Sequence, residues 1–523
     1  MFSIKCFDAS LTLKDGTKLI SRIWHPKENG PWPTLLMRQP YGRQIASTIT
    51  YAHPVWWVSK GYMVIIQDVR GQGDSEGIFK GFSQEANDTS ETHDWVRSLA
   101  ECNGKLGLYG FSYQGLTQLT GNNDSLPPDC LAPAMTGLNI KEHWSSDGGA
   151  FWWHNNIAWA LQMASLKMRR NKNILGWQNI RNSLENNAYL QNGLELIKKY
   201  DPDNFIIKWN DILNDKDVFD EIIPNKLWLK KPMLIYGGLF DPHLKGAFDL
   251  FKRSQKAGGK PELIIGNATH LKWWEGSQNT LLKFFDQHLK GDFESNERTE
   301  RKLIWNITLK KWENICLKHE NDDQFYFRSD GLANVETKDG TLTKNVKGFG
   351  FASIVHDPWR PVPMNGGHLG QNPGIYNRKS IDERLDVAVF QTNLLESDLV
   401  FSGTPYLITS VMCESKTFDI CLALSLVDKN DKNVEQFSTG FLRIKRETTV
   451  REETHLIELQ PSHLTIPKGY KLRISISAAA WPAIGVNSGS VNKGHGSPTS
   501  AHKIITLNFN LNKTIMKIKP FFK

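Results

Sequence analysis

The segment over residues 105–115 constrains the fold of this chain most, because an apolar run changes there into a turn of small residues. It reads Lys-Leu-Gly-Leu-Tyr-Gly-Phe-Ser-Tyr-Gln-Gly. The apolar half is typical of a buried strand, and the remainder is typical of the start of a helix. Gly110 and Gly115 leave room for a sharp turn that would raise the Ser112 hydroxyl above the end of a parallel sheet. The usual pattern has glycine two residues after the serine, where this chain has Gln114. Ser112 is therefore a candidate nucleophile whose partners must come from elsewhere in the chain.

Short apolar runs alternate with helical patterns through residues 1–142. This alternation predicts a parallel sheet covered by helices on both faces. A helix is expected over Ser83–Ala100, with Ser83 as its N-cap. Asp15 and Gly16 are typical of a hairpin turn at the start of the sheet. The expected strands are Ile20–Trp24, Thr34–Arg38, Tyr62–Val69, Lys105–Tyr109 and Leu131–Thr136.

The strand pattern stops at residue 143 and resumes after residue 227. Aromatic-rich and then charged helical stretches, Asn156–Arg170 and Asn187–Lys199, fill this interval and predict an inserted helical cap. Two strands, Pro232–Tyr236 and Pro261–Ile265, and an amphipathic helix, Ser277–Lys290, then continue the α/β pattern. The predicted bounds are 1–142 and 228–298 for the two parts of one α/β domain and 143–227 for the cap.

The helical period is nearly lost from residue 299 onward. Short runs alternate there with turns at near-regular spacing, which predicts an all-β jelly roll, a type of β-sandwich, over residues 299–523. The expected strands are Asp323–Phe327, Asp386–Gln391, Thr417–Leu426, Phe437–Ile444, His455–Leu459, Lys471–Ile476 and Lys503–Leu507. The predicted fold class is thus α/β with an inserted helical cap, followed by a C-terminal all-β jelly-roll domain.

A serine hydroxyl needs a base that takes its proton and a carboxylate that orients that base. In a doubly wound hydrolase these partners follow later strands, in the order serine, acid, histidine. Asp241 follows the apolar run 232–236, and His270 follows the run 261–265. Both positions lie where open α/β sheets place their chemistry. Ser112, Asp241 and His270 are therefore predicted to be catalytic, the alternatives being a helix cap for Asp241 and a surface position for His270.

Two other residues compete for these roles. His243 is a rival base, but it lies so close to Asp241 on the same loop that it is poorly placed to join that acid to a serine. Asp68 is a rival acid, but the Val-Arg-Gly-Gln-Gly segment after it is typical of a residue that organises a tight glycine-rich loop.

Acyl transfer also needs hydrogen-bond donors for the oxyanion. The backbone N–H of Tyr113, directly after the nucleophile, is one expected donor. The loop after Thr34–Arg38 reads Gln-Pro-Tyr-Gly-Arg and presents Tyr41, whose phenol is a candidate second donor. The alternative for Tyr41 is an ordinary aromatic residue in a turn.

Charge and cysteine usage limit the partners and the compartment. The net charge of +8 is modest for 523 residues and the basic residues are scattered, so neither nucleic acid nor a membrane is predicted as a partner. The six cysteines form no Cys-x-x-Cys pair, which fits free thiols in a reducing compartment. No secretory pattern opens the chain, and no segment stays apolar for the roughly 18 residues that a membrane span needs, so a cytoplasmic protein is expected.

These features together resemble the cocaine esterase / X-Pro dipeptidyl-peptidase family of serine hydrolases (CocE/NonD type). The family pattern Gly-x-Ser-Tyr-x-Gly accounts for Gln114. The resemblance implies an α/β-hydrolase domain, a helical cap and a C-terminal jelly roll, with Ser112, Asp241 and His270 as the triad and the Tyr41 hydroxyl and Tyr113 N–H as the oxyanion hole. The matching segments are 15–19, 38–43, 67–71, 75–77, 103–105, 110–115, 237–241 and 269–270, with residues 357–358, 363 and 366–367 in the β region.

The chain departs from the family around the substrate pocket. Ala268 stands where family members often carry an aromatic residue, which implies a differently shaped acyl pocket. Relatives that act on free amino groups are expected to place carboxylates near the site, and the segment after Asp241 has none. Asp147 is the one nearby candidate, and a loop or cap position is its alternative. The candidate pocket residues are Trp144, Asp147, Phe151 and Trp152; the alternative for the tryptophans is a helix packed on a core.

The leading hypothesis is a serine hydrolase that cleaves a small-molecule carboxylic ester or amide through an acyl-enzyme. An X-Pro dipeptidyl-peptidase or an α-amino-acid ester hydrolase is the alternative within this class. An inactive hydrolase whose jelly roll binds a carbohydrate or a partner is the alternative from another class. No histidine and acid set has metal-ligand spacing, and serine catalysis needs no cofactor, so neither is predicted. The sequence leaves a homo-oligomer open.

Overall fold

The computed structural model of the chain consists of an α/β part and a mostly β part. It describes residues 3–27, 30–44, 50–122, 125–212, 222–291, 301–315, 324–448, 452–490, 496–499 and 501–522. The predicted fold class is confirmed at the level of an α/β-hydrolase-like domain followed by a mostly β domain. No helix in these ranges is long and apolar enough to cross a membrane.

The first sheet has ten strands in the order β1-β2-β4-β3-β5-β6-β9-β10-β11-β12. The strands of the described residues up to 315, ten of this sheet and two outside it, are β1 (Ile4–Thr12), β2 (Lys18–Pro26), β3 (Trp32–Gln39), β4 (Met63–Asp68), β5 (Cys102–Phe111), β6 (Cys130–Ala134), β7 (Ser146–Asp147), β8 (Ala150–Phe151), β9 (Leu234–Phe240), β10 (Glu262–Thr269), β11 (Lys302–Asn306) and β12 (Lys311–Asn314). The pairs from β4 to β11 are parallel, whereas β1, β2 and β12 add antiparallel edges. Strands β7 and β8 form a separate hairpin.

Ten α-helices occur in the described ranges. They are α1 (Pro54–Val58), α2 (Glu85–Ser98), α3 (Tyr113–Thr117), α4 (Trp153–Arg170), α5 (Ile174–Glu185), α6 (Tyr189–Tyr200), α7 (Phe205–Ile212), α8 (Leu244–Lys256), α9 (Ser277–Phe285) and α10 (Lys379–Asp382). Short 3-10 turns lie at Gly81–Gln84 and Trp228–Lys230, and π turns lie at Lys141–Ser145 and Asp286–Lys290. Helices α4 to α7 lie between β6 and β9 in the chain, within the predicted cap.

The second sheet has the order β16-β20-β19-β23-β17-β14-β13-β15-β24-β18-β21, and β22 pairs with β18. Its strands are β13 (Gln324–Ser329), β14 (Thr341–Thr343), β15 (Phe349–His356), β16 (Tyr376–Asn377), β17 (Val387–Gln391), β18 (Leu399–Cys413), β19 (Thr417–Val427), β20 (Val434–Lys445), β21 (Glu453–Glu458), β22 (Ser462–Ile466), β23 (Lys471–Ser477) and β24 (Ile505–Lys519). All eleven residues of β19 are buried, so this strand lies in the interior of the β domain.

The structure differs from the sequence prediction at several elements. Ser83 is not a helix N-cap, because it lies within a 3-10 turn and α2 begins at Glu85. Strands β11 and β12 were not predicted, and they pair with the first sheet although they lie in the range assigned to the jelly roll. The long strand β18 was also missed, because Gly403 and Pro405 interrupt its apolar pattern. The start of the predicted strand 323–327 and Cys316 fall outside the described residues.

The β domain contacts the first half of the chain at the start of the cap. The N–H of Trp153, the first residue of α4, donates to the carbonyl of Ala483 at 2.9 Å. The ring of His154 lies 2.7 Å from the carbonyl oxygen of Leu369 through Nε2. The first turn of the cap helix is thus held by the C-terminal domain.

Candidate active site

Ser112 occupies the junction between β5 and α3 in a strained conformation. Its backbone angles are φ 57° and ψ −127°, a region that a residue with a side chain rarely adopts. The Ser112 N–H donates to the carbonyl of Ala134 at the end of β6, at 3.0 Å. The structure therefore places the serine on a sharp turn at the carboxyl end of the parallel sheet.

Glycine is required on both sides of this turn. A Cβ at Gly110 would lie 2.5 Å from Cβ of Gln114, and a Cβ at Gly115 would lie 2.9 Å from the carbonyl oxygen of Ala134. Gln114 itself fits, and its Oε1 accepts from the N–H of Phe111 at 3.3 Å. The close approach of α3 to β6 therefore falls at Gly115, which accounts for the unusual glycine spacing after Ser112.

Asp241 and His270 lie in contact at the same edge of the sheet. Asp241 follows β9 and His270 follows β10, and Nδ1 of the imidazole lies 2.6 Å from Oδ2 of the carboxylate. The other carboxylate oxygen accepts from the N–H of His243 at 2.8 Å. Burial opposes ionisation, but the charge and hydrogen bond of His270 hold the pKa of Asp241 below its ordinary value. Asp241 is thus suited to orient the His270 ring as a charged acceptor.

The His270 ring lies beside the serine turn and remains open to solvent. Its centroid is 5.2 Å from that of Phe111, the residue before Ser112. The side chain is 28% exposed, whereas that of Asp241 is fully buried. This combination provides a buried acid behind an accessible imidazole.

Tyr41 lies on the loop after β3, whereas Tyr113 directly follows Ser112 as the first residue of α3. The N–H of Tyr41 donates to Oε1 of Gln39 at 2.7 Å, which fixes the turn after β3. Burial raises the pKa of the Tyr41 phenol, and its contacts with the Trp159 and Ser112 side chains act in the opposite direction. The phenol is therefore neutral and lies next to Ser112. Tyr113 opens α3, where the first N–H groups of a helix have no acceptor within it.

The rival base His243 is held in a different role. Its Nδ1 lies 2.6 Å from the carbonyl oxygen of His143, and its ring centroid is 4.4 Å from that of Trp144. Burial lowers the pKa of His243 to about 4. His243 is therefore a neutral side chain packed beside His270, with a ring separation of 5.1 Å.

The rival acid Asp68 organises the glycine-rich loop. Its Oδ2 lies 2.7 Å from NH1 of Arg43 and accepts from the N–H of Asp74 at 3.1 Å. A Cβ at Gly73 would lie 2.2 Å from the same oxygen. Both carboxylate oxygens are used, since Oδ1 accepts from the N–H of Arg43 on the loop after β3.

The four candidate pocket residues lie in two places. Trp144 and Trp152 form a wall of the site, whereas Phe151 and Asp147 lie where the two domains meet. Trp144 and Trp152 both face the His243 ring, at 4.4 and 5.8 Å. Phe151 is buried and contacts Trp153. Asp147 is buried and bonds to Nζ of Lys245 at 2.5 Å and to Nε2 of His368 at 3.2 Å. Burial opposes the effect, but Lys245 and His368 hold the pKa of Asp147 below its ordinary value.

A cavity of about 520 Å³ opens on the Tyr41 side of the serine turn. It lies between the glycine-rich loop and the cap, and its lining includes Phe79, Met163 and Phe205 as well as Tyr41. Sequence reasoning missed Phe79 and the cap residues Met163 and Phe205, although Met163 and Leu166 have the spacing of one helix face. No group of three His, Cys, Asp or Glu side chains suited to a metal occurs within the described ranges.

Comparison with known proteins assigns the chain to a family. Residues 15–272 match the model of the X-Pro dipeptidyl-peptidase (S15 family), and residues 296–513 match that of the X-Pro dipeptidyl-peptidase C-terminal non-catalytic domain. The chain is 24% identical over 526 residues to a cocaine esterase from Rhodococcus sp. (strain MB1 Bresler), covering 91% of each chain. These matches define a serine hydrolase of the acyl esterase or X-Pro peptidase type. The chain belongs to the cocaine esterase / X-Pro dipeptidyl-peptidase family, as the sequence predicted.

Three solved structures share the fold over nearly the whole chain. An aminopeptidase from a marine sediment Thaumarchaeota archaeon has a TM-score of 0.77 and 18% identity, covering 99% of this chain and 96% of its own. An α-amino acid ester hydrolase has a TM-score of 0.76 and 18% identity, with 98% and 96% covered. A CocE/NonD family hydrolase from Staphylococcus aureus has a TM-score of 0.71 and 15% identity, with 98% and 93% covered. At these identities the likeness concerns the fold.

Proposed function

We propose that the protein cleaves a carboxylic ester or simple amide of a small molecule through an acyl-enzyme on Ser112. The observation that carries this proposal is the 2.6 Å contact between His270 Nδ1 and Asp241 Oδ2, beside the strained turn that presents Ser112. A carboxylate bound to Nδ1 leaves Nε2 as the basic nitrogen of the ring. The triad is therefore Ser112 as nucleophile, His270 as base and Asp241 as orienting acid.

The reaction follows from these positions. Ser112 Oγ attacks the carbonyl carbon while His270 Nε2 takes the hydroxyl proton, and Asp241 stabilises the imidazolium that forms. The negative charge on the carbonyl oxygen is met by the N–H of Tyr113 and the hydroxyl of Tyr41. The imidazolium then gives its proton to the leaving alcohol or amine. A water molecule, deprotonated by the same histidine, releases the acid and restores Ser112.

An ester or simple amide is favoured over a substrate with a free amino terminus. A buried carboxylate that is already paired within the protein is a poor partner for the ammonium group of a substrate. Asp147, the candidate for that role, is buried and bonded to Lys245 and His368. The residue after Asp241 and Pro242 is His243, which is neutral because burial lowers its pKa to about 4. Neither of these two groups offers a free negative charge, and an exposed carboxylate in the lining of the Tyr41 cavity is that of Asp203.

Serine-directed labelling tests the nucleophile. We expect a fluorophosphonate probe to label the wild-type chain and not the Ser112→Ala variant. The exposed Ser83 in the 3-10 turn provides a matched control, and Ser83→Ala is expected to label like the wild type. Equal labelling of Ser112→Ala would overturn the assignment.

A pair of substrates tests the acyl group. We expect a short acyl aryl ester to be hydrolysed with a higher kcat/KM than an Xaa-Pro aryl amide that carries a free amino terminus. A preference for the amide would assign the chain to dipeptidyl-peptidase activity, as the description of its family model suggests.

A further inference from the structure

A buried ion pair joins the end of β3 to the start of α2, close to both proposed oxyanion donors. Arg38 lies on β3, which leads to Tyr41, and Glu85 is the first residue of α2. NH1 of Arg38 is 2.9 Å from Oε2 of Glu85, and the two side chains are 2% and 0% exposed. The proposed triad makes no use of this pair.

The ion pair reaches the nucleophile turn through Tyr113. The Tyr113 hydroxyl donates to Oε1 of Glu85 at 2.7 Å. The Tyr113 ring stacks on Phe82 with centroids 5.1 Å apart. Tyr113, the proposed N–H donor to the oxyanion, is therefore fixed twice. Its hydroxyl is held by Glu85, and its backbone is held in α3.

The Arg38 side of the pair is fixed in a similar way. Its Nε donates to Oε1 of Gln67 at 2.8 Å, and NH1 donates to the hydroxyl of Thr89. The carbonyl of Arg38 accepts from the Thr117 hydroxyl on α3 at 3.2 Å. Strand β3 and helix α3 are thus joined in two ways. One is the hydrogen bond from Thr117 to the Arg38 carbonyl, and the other is the series of side-chain contacts from Arg38 through Glu85 to Tyr113.

A gain in folding stability does not explain why this ion pair is buried. Removing two charges from water is costly, and apolar residues in their place are often neutral or stabilising. The strained Ser112 backbone can relax by rotation of the peptide that joins it to Tyr113, and this rotation would turn the Tyr113 N–H away from the substrate. A phenol held by Glu85 opposes that rotation.

We propose that Glu85 and Arg38 are positioning residues. They hold the Tyr113 N–H and the Tyr41 loop at the relative positions that form one oxyanion hole. The inference rests on the proposed function. The ion pair then contributes to stabilisation of the transition state, because that depends on where the donors lie. It does not contribute to binding of the ground-state substrate.

The Tyr113→Phe variant removes the bond to Glu85 and keeps the ring and the backbone N–H. Because small misplacements of catalytic groups are costly, we expect kcat for a short acyl aryl ester to fall about tenfold, with KM within about twofold of wild type. Phenylboronic acid forms a tetrahedral adduct with a serine hydroxyl that places an oxygen in the oxyanion hole, and we expect its Kd to rise about tenfold.

Tyr109→Phe is the matched control. Tyr109 lies on β5, is fully buried, and its hydroxyl has no hydrogen-bond partner among the described residues. The same substitution there is expected to leave kcat and the boronate Kd unchanged.

A second variant addresses the case in which Tyr113→Phe does not fold. Glu85→Gln keeps a weaker, neutral acceptor for Tyr113 and removes the charge that faces Arg38, so it is expected to lower kcat and to raise the boronate Kd by about two- to threefold, less than Tyr113→Phe. Two results would overturn the inference. One is wild-type kcat and boronate Kd in the folded variants, and the other is a change only in KM or only in the unfolding temperature. Activity retained in Ser112→Ala, measured in parallel, would overturn the proposed function with it. An inactive Ser112→Ala beside a wild-type-like Tyr113→Phe overturns the inference alone.

Discussion

The side-chain amide of Gln460 donates a 2.8 Å hydrogen bond to the main-chain carbonyl of Asp241, 219 positions earlier in the chain. Gln460 lies between β21 and β22 of the β domain, and Asp241 follows β9 of the α/β domain. Both residues are buried, at 2% and 0% exposed. The loop that carries the proposed catalytic acid is therefore held in part by the C-terminal domain.

Gln460→Met tests this contact, because methionine has a similar length and no donor. The buried carbonyl of Asp241 would keep only the N–H of Leu244 as a donor, at 3.2 Å, so we expect the free energy of unfolding to fall by about 0.5–1.5 kcal/mol. We also expect kcat to fall several-fold as the acid loosens. Chemical denaturation and ester kinetics measure the two effects, and Gln255→Met on the exposed face of α8 is the control. Lower stability with unchanged kcat would limit Gln460 to a structural role.

Asp241→Asn tests the orienting acid. An asparagine amide cannot hold the His270 ring in the tautomer that leaves Nε2 free, so we expect kcat to fall by roughly 10³–10⁴-fold. The asparagine oxygen can still accept from the N–H of His243, which preserves the loop. Steady-state kinetics on the folded variant measures this effect, and a loss of less than tenfold would contradict the triad.

Tyr41→Phe tests the second oxyanion donor. The phenol is the group that contacts the Ser112 side chain, so its removal is expected to lower kcat by about 10²–10³-fold with little change in KM. A rise in KM at constant kcat would instead indicate that Tyr41 contributes to ground-state binding.

The buried histidines predict a loss of stability on acidification. Burial lowers the pKa values of His143, His154 and His243 to about 4 from the ordinary 6.5. These groups are neutral in the folded state but take up protons in the unfolded state below pH 6.5. Their contribution to stability is therefore fully present above that value and is lost as the pH falls toward 4.

His243→Gln measures one of these contributions. We expect the slope of unfolding free energy against pH, between 4 and 6.5, to decrease by at most about 1.4 kcal/mol per pH unit. Denaturant titrations across this window give the slope. An unchanged slope would show that His243 is not protonated on unfolding in this range.

Much of the candidate site could be predicted because its residues follow a local rule. Ser112, Asp241 and His270 each lie directly after an apolar run, and the carboxyl ends of parallel strands share one edge of the sheet. The contact between Asp241 and His270 is the juxtaposition that this rule predicts. Gly115 is explained only by the structure, since its close neighbour Ala134 belongs to the next strand.

The remaining contacts could not be predicted from local patterns. Glu85 lies within the predicted helix Ser83–Ala100, and nothing near it in the sequence indicates a bond to Tyr113. In the sequence Gln460 is an ordinary polar residue near a strand end. Only the contact between the two domains shows that it binds the Asp241 loop. Asp147 was considered as a substrate ligand, and its partners Lys245 and His368 come from α8 and the β domain. Long-range polar contacts of this kind leave no periodic signal in one sequence.

The network around Asp147 also limits how the cap can move. Asp147 is bound to Lys245 and His368, and α4 begins with a backbone bond from Trp153 to Ala483. The segment that enters the cap is therefore fixed to both domains before the first helix turn is complete. Trp144 and Trp152 flank this fixed hairpin of β7 and β8, so the two indoles are held in place as a rigid wall of the site.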